Sequence, residues 1–252
     1  MDIPNYYLYK YRSLRTEKDK QYTGRIFTHN EIYFAKYTEF NDPFDCNLHI
    51  SVERNIVAHK AKLRELNPNL SDAELDVKTR KDLQPQKIRN REKSLRSAIQ
   101  RENKRLGIFS LSAKSDDLLM WSHYADYHRG ICVEFKVTNS KLFGCDLSKV
   151  HYQKQYPNLS VYDHIDLEWT KRYLTTKSDV WCYEKEWRIL YRETGCQVFP
   201  AEELSGVILG ARISEKNKKL VLEWLTKGKC EVQLYQAREC DDRFGVNILA
   251  EC

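Results

Sequence analysis

The chain has 252 residues, 41% of them hydrophobic and 12% aromatic, enough to bury a sizeable core in one large domain or two small ones. No apolar run approaches the roughly eighteen residues of a membrane-spanning helix, and the opening MDIPNYYLYKYR lacks the apolar core of a secretory signal. The eight cysteines are scattered without a CxxC pair, which predicts reduced thiols in a cytoplasm and argues against a disulfide framework or a zinc site.

The first predicted element is a strand over Tyr6–Arg12. Alternation puts Tyr7, Tyr9 and Tyr11 on one face and Leu8, Lys10 and Arg12 on the other. An Arg beside tyrosines can hold a phosphate or carboxylate with its planar fork; the plainer reading is an edge strand with a solvated Arg12. A second short strand follows at Glu31–Ala35, and then the string FNDPFD, Phe40–Asp45. Asn-Asp-Pro signals a turn, which Phe40 and Phe44 would pin to the core; Asp42 and Asp45 are candidates for a site, with a structural turn the plainer reading.

Residues 53–106 read as polar helices inserted into the fold. Ser71 and Glu74 have the spacing of a capping box, Pro85 interrupts the pattern, and a basic helix is predicted from Gln86 to Leu106. Its apolar residues Ile88, Leu95, Ile99 and Leu106 form one narrow seam. The net charge of +6 is uneven: Lys78–Arg105 holds eleven Lys and Arg against Asp82, Glu92 and Glu102, or +8, leaving −2 elsewhere. Any nucleic acid or other polyanion would be drawn there, although no aromatics are interleaved to stack bases.

The stretch FSLSAKSDDLLMWSHYADYHRG, Phe109–Gly130, is predicted as strand, then an aromatic helix over LLMWSHYADY, then a turn closed by Gly130. Asp116 and Asp117 offer capping oxygens. The helix carries apolar groups on nearly every face, which predicts a buried, hydrogen-bonded His123 as a candidate site residue. Ile131, Val133, Phe135 and Val137 line one face of the following strand. Further on, Val150–Tyr152 reads as a strand, a Tyr/Asp-rich segment runs to about Tyr173, and Thr175–Asp179 reads as a polar loop. Val180–Arg192 reads as a strand with Glu184, Glu186 and Arg188 on one face and Tyr183, Trp187, Ile189 and Tyr191 on the other. Carboxylates set among aromatics are candidates for shifted pKa values; a solvated Glu186–Arg188 pair is the plainer reading. Gly206–Gly210 is a buried-type strand, Ser214 caps a helix that Gly228 ends, and Cys230–Tyr235 is a further strand. The whole reads as one α+β domain over 1–252, with a mixed or antiparallel sheet and a basic helical insertion.

The strings YKYR, FNDPFD, LMWSHYADYHRG and WCYEKEWR, in this order, resemble the uncharacterised prokaryotic family known as domain of unknown function two-nine-seven-one. The chain is also similar to ADP-ribosyltransferases of the arginine-serine-glutamate type. Those enzymes carry an Arg on the first strand, a Ser-x-Ser after an aromatic and a Glu-x-Glu. Here the matching residues are Arg12, Ser110 and Ser112 after Phe109, and Glu184 and Glu186. The resemblance implies an NAD-using enzyme, of the kind found among bacterial toxins and defence components. In it Glu186, held by Ser110, would face the ribose, Arg12 and Ser112 would bind NAD, Glu184 would orient or deprotonate the acceptor, and Tyr124 would stack on nicotinamide. Cleaving the nicotinamide–ribose bond builds positive charge on the sugar, which a fixed carboxylate stabilises.

Two rivals stay open. Glu134-Phe-Lys136, with Asp116, Asp117 and Asp126 upstream, has the residue types of a metal-dependent nuclease. A non-enzymatic binding or regulatory module with an aromatic pocket is the other.

Overall fold

The computed structural model describes residues 6–51, 56–139, 141–160, 166–228 and 231–251. The chain begins with β1 (Tyr6–Arg12), α1 (Glu17–His29), β2 (Glu31–Phe34) and β3 (His49–Ser51). The helices α2 (Ile56–Leu66), α3 (Asp72–Asp82) and α4 (Pro85–Asn103) follow, then β4 (Gly107–Ser112), α5 (Leu118–Tyr124) and β5 (Ile131–Val137). Short strands β6 (Lys141–Leu142), β7 (Cys145–Lys149), β8 (His151–Gln153) and β9 (Asn158–Ser160) lead to α6 (Leu167–Leu174) and β10 (Thr176–Ser178). A 3-10 turn at Asp179–Glu184 precedes β11 (Glu186–Tyr191), and β12 (Gly195–Val198), β13 (Leu204–Leu209), α7 (Glu215–Lys227), β14 (Gln233–Glu239) and β15 (Val246–Ala250) complete the order.

Nine strands form one sheet in the order β15-β14-β13-β5-β1-β4-β11-β7-β6. The β13–β14 pair is parallel and the other neighbours are antiparallel, so the fold is α+β with a mixed sheet. One face packs on α1 and α7: Leu8, Val133 and Phe135 meet Ile26, Phe27, Val221 and Trp224, with the Phe27 and Trp224 rings stacked at 6.1 Å. On the other face Trp121 is fully buried, edge-on to Tyr11 at 5.2 Å. A fully buried side chain of this size stabilises by about 2–3 kcal/mol.

Several expectations change in the folded chain. β1 is a central strand, paired with β5 along its whole length, and Arg12 is not a solvated edge residue. Its tyrosines and aliphatic stem carry enough apolar surface to be covered on both sides. The expected Val180–Arg192 strand is half 3-10 turn: Lys185 takes a left-handed backbone (φ 47°), which ends the turn at Glu184 and starts β11 at Glu186. The expected loop at 175–179 contains β10, paired in parallel with β8 and buried although it carries Lys177. Helix α5 stops at Tyr124, and Asp126, Tyr127 and His128 form a left-handed turn (φ 48°, 55° and 67°).

The insertion has the capping box at Ser71 and Glu74, and α4 buries Ile88 and Ile99. With Leu95 and Leu106, Ile99 packs against Cys46, Leu48 and Ile50, so the insertion leans on the segment after the FNDPFD turn. Phe44 does not pin that turn; it is exposed, whereas Phe40 is packed inward. The C-terminal expectation shifts to β14, and Cys230, like residues 53–55 at the start of the insertion and residues 161–165, lies outside the described residues. The described cysteines are free thiols, and Cys132 is a small core residue with no exposure. No helix among the described residues is long and apolar enough to cross a membrane.

Candidate functional site

β1, β4 and β11 are successive strands of the sheet. β4 and β11 pair through six residues, Glu186–Ser112 to Tyr191–Gly107, but β1 and β4 pair only at Tyr9–Ser112. Beyond that pair the strands part, and β4 turns instead to Ala35, whose N–H and C=O both bond Ile108. Pleat alternation assigns Ser110, Ser112 and Glu186 to one face of the sheet and Lys10 and Arg12 to the other. The parting of the strands lets both sets open into one cavity of about 340 Å3. That volume is at the small end of ligand sites.

The cavity wall is built on a buried ionic network. Arg188, with no exposure, donates from Nε to Glu186 Oε1 (2.7 Å), from Nη2 to Asp45 Oδ2 (2.6 Å) and from Nη1 to the Leu174 carbonyl (2.6 Å). Lys177 Nζ donates to Glu184 Oε2 (2.5 Å) and Glu186 Oε2 (3.0 Å) and lies 3.5 Å from Asp45 Oδ2. The Tyr124 hydroxyl donates to Glu184 Oε1 at 2.7 Å, and Ser110 lies close enough to Glu186 to help lower its carboxyl.

The two glutamates titrate in opposite directions. Burial would raise the Glu186 carboxyl, but Arg188 and Lys177, with hydrogen bonds from Arg188 and Ser110, hold it well below the ordinary range. Burial also raises Glu184, and there Lys177 does not fully offset it beside the charge of Glu186. The cations beside Glu186 favour its charged form, whereas burial and the charge of Glu186 disfavour that of Glu184. Burial raises the Tyr124 hydroxyl, and Glu184 adds to the effect.

Arg12, Ser110, Ser112, Tyr124, Glu184 and Glu186 all line the cavity. Ser112 does so without a free hydroxyl for a cofactor: it is buried, donates to the Glu184 carbonyl (2.7 Å) and accepts from the Lys114 amide (3.0 Å). It ties β4 to the 3-10 turn and so places Glu184. His123 is exposed, contrary to expectation, and does not line the cavity. Trp121 occupies the buried side of α5, and two residues on, about 200° around the helix, His123 points outward. It lies instead in a surface trio with Trp181 and Tyr183, ring centroids 6.3–6.5 Å away.

Sequence reading missed Lys10, Asp45, Lys177 and Arg188. The FNDPFD string reads more readily as a turn than as a site, and Glu186–Arg188 as a solvated pair, yet Asp45 and Arg188 are both buried. Lys177 was hidden in a polar string, and only its position seven residues before Glu184 hinted at a partner.

The nuclease residues do not converge. Glu134 accepts from the Ser205 hydroxyl (2.9 Å), Asp117 caps α5 by accepting from the Leu119 and Met120 amides (each 3.0 Å), and Asp126 sits in the left-handed turn. Among the described residues no cluster of three or more His, Cys, Asp or Glu is placed to hold a metal ion.

The family described as protein of unknown function (DUF2971) matches residues 120–189. That span carries Tyr124, Lys177, Glu184, Glu186 and Arg188, the network side of the cavity; Lys10, Arg12 and Ser110 lie before it. No curated protein and no solved structure matches the chain.

Proposed function

We propose that the cavity binds NAD and that the chain transfers ADP-ribose, releasing nicotinamide. The observation that carries this reading is the convergence of Arg12, Ser110 and Glu186 from three successive strands on one cavity. Glu186 supplies a fixed negative charge for the oxocarbenium-like ribose, and its ionisation is enforced by Arg188 and Lys177. Glu184, with its raised carboxyl, accepts the acceptor's proton. Arg12 takes the phosphates, and Tyr124 offers an aromatic wall to nicotinamide. The resemblance in motif order agrees with these roles.

A second reading is a module that binds a nucleotide without turning it over. One observation favours it: both Glu186 oxygens already accept from cations, Oε1 from Arg188 and Oε2 from Lys177 and Arg188. A carboxylate so compensated stabilises a sugar cation less than a lone one.

Nicotinamide release from NAD, followed by chromatography, separates the two. Wild type is expected to release it, and Glu186→Gln, confirmed folded by circular dichroism, to be slower by about a hundredfold or more. NAD binding by calorimetry with no release in the presence of protein or nucleic-acid acceptors would leave the binding module as the function.

A further inference from the structure

Lys10 and Arg12 differ from the other charges around the cavity. Asp45, Glu184 and Glu186 are ion-paired with Lys177 and Arg188. Neither Lys10 nor Arg12 is ion-paired among the described residues. Lys10 Nζ donates to the Ser110 carbonyl at 2.7 Å, an acceptor freed where the β1–β4 ladder parts, and lies 4.8 Å above the centre of the Phe109 ring. Arg12 donates from Nε to the Thr23 hydroxyl at 3.1 Å. Glu39 is a fourth carboxylate on the cavity wall, so the charges balance in number, but Lys10 and Arg12 have no carboxylate at ion-pair distance among the described residues.

Both side chains lie deep in the protein and keep partial exposure on the cavity they line. Cations taken from water without a counter-charge are costly to the fold. As alternate residues of one strand they stand about 7 Å apart along the backbone on the same face. That spacing suits a ligand that presents several anionic oxygens.

We propose that Lys10 is a second cationic arm beside Arg12, and that together they receive the diphosphate of a nucleotide ligand. The inference rests on the reading above for the nucleotide, but its chemistry is that of any diphosphate. Burial and the neighbouring Arg12 bring the Lys10 amine down to about 8, against the pull of Glu186 and Glu184 and with a smaller push from Lys177. A bound anion reverses that balance, so ligand binding near pH 8.5 takes up a proton at Lys10.

The test is calorimetric titration of the full chain with inorganic diphosphate and with ADP-ribose, at pH 8.5, in two buffers of different ionisation enthalpy. Wild type is expected to bind both and, with ADP-ribose, whose diphosphate does not itself titrate at this pH, to take up roughly three-quarters of a proton. Lys10→Met is expected to lose affinity by about tenfold or more and to lose the proton uptake. Lys10→Arg keeps the charge and should keep most of the affinity, yet it should also lose the uptake, because guanidinium does not titrate there. A merely structural lysine would not produce that split. Absence of diphosphate and ADP-ribose binding by wild type, or equal affinity in folded Lys10→Met, overturns the proposal. The two readings fail separately. Diphosphate binding that depends on Lys10, with no nicotinamide release, removes the transferase and leaves the anion receptor. Nicotinamide release with the same KM in wild type and Lys10→Met does the reverse.

Discussion

At the residue scale, Lys10 links stability to function with a sign that can be worked out. Its amine titrates at about 8 in the fold and at 10.5 when free. A lysine lowered in this way binds its proton more tightly in the unfolded chain, so stability rises with pH between 8 and 10.5 and the full cost is present below 8. The difference corresponds to about 3 kcal/mol at neutral pH as an upper limit, offset by about 1 kcal/mol for the hydrogen bond to the Ser110 carbonyl. Lys10→Met is therefore expected to melt at a higher temperature than wild type at pH 7. The gap should close as pH rises from 8 to 10.5. A gap independent of pH, or a less stable variant at pH 7, would show that Lys10 is not held as a costly buried cation. Such cost is retained where a site needs it. The same scale explains why the network was illegible in sequence. Asp45, Lys177 and Arg188 are among the residue types most often solvated, and their burial depends on one another: no local pattern marks a charge whose partner is 143 residues away, as Asp45 is from Arg188. The resemblance in motif order marked Arg12, Ser110, Tyr124, Glu184 and Glu186, and the cavity collects all of them. Local patterns failed at His123, where the seven-residue helix buries one side only.

At the element scale, periodicity was a good guide wherever an element faces apolar neighbours. β1, β4, β5 and β13 fall close to where alternation or apolar runs put them, and the capping box opens α3. It was a poor guide at β10 and the 3-10 turn, whose conformations follow from the buried ions and from left-handed Lys185 rather than from side-chain period. What could not be read at all is the parting of β1 from β4, because register and splay depend on contacts between distant strands. Gly130 holds the end of β1 at Arg12 from the other side. A Cβ there would come within 2.2 Å of the Arg12 carbonyl and 3.0 Å of the Ala125 carbonyl, both backbone atoms that cannot swing aside. Gly130→Ala must push the end of β1 away or unwind the left-handed turn. The expected outcome is a loss of about 1–3 kcal/mol in stability together with weaker diphosphate binding, since Arg12 moves with its backbone. Unchanged denaturant midpoint and affinity would mean that the turn yields without disturbing β1.

At the scale of the whole molecule the positive charge that lacks an ion-pair partner is divided between two places: Lys10 and Arg12 at the cavity, and the insertion, whose stretch Lys78–Arg105 carries +8. The insertion contributes little of its basic character to the fold. Arg89, Lys93, Arg101 and Lys104 are exposed, while Ile88 and Ile99 hold α4 down and Arg96 is already bonded to the Leu48 carbonyl at 3.3 Å. Reversing Arg89, Lys93, Arg101 and Lys104 to Glu takes the stretch from +8 to 0 without touching the buried seam. Surface changes of this kind usually alter stability by no more than about 0.5 kcal/mol each, so the melting temperature should move by only a few degrees. If the insertion is where a polyanion binds, wild type should be retained on heparin and bind a nucleic-acid duplex with an affinity that falls steeply with salt. The reversed variant should lose both. Nicotinamide release and diphosphate binding should survive, because the cavity residues are unaltered. Retention that persists in the reversed variant would place polyanion binding elsewhere on the protein. Loss of diphosphate binding along with it would show that the insertion acts on the cavity through Leu95, Ile99 and Leu106, which pack against the segment following Asp45.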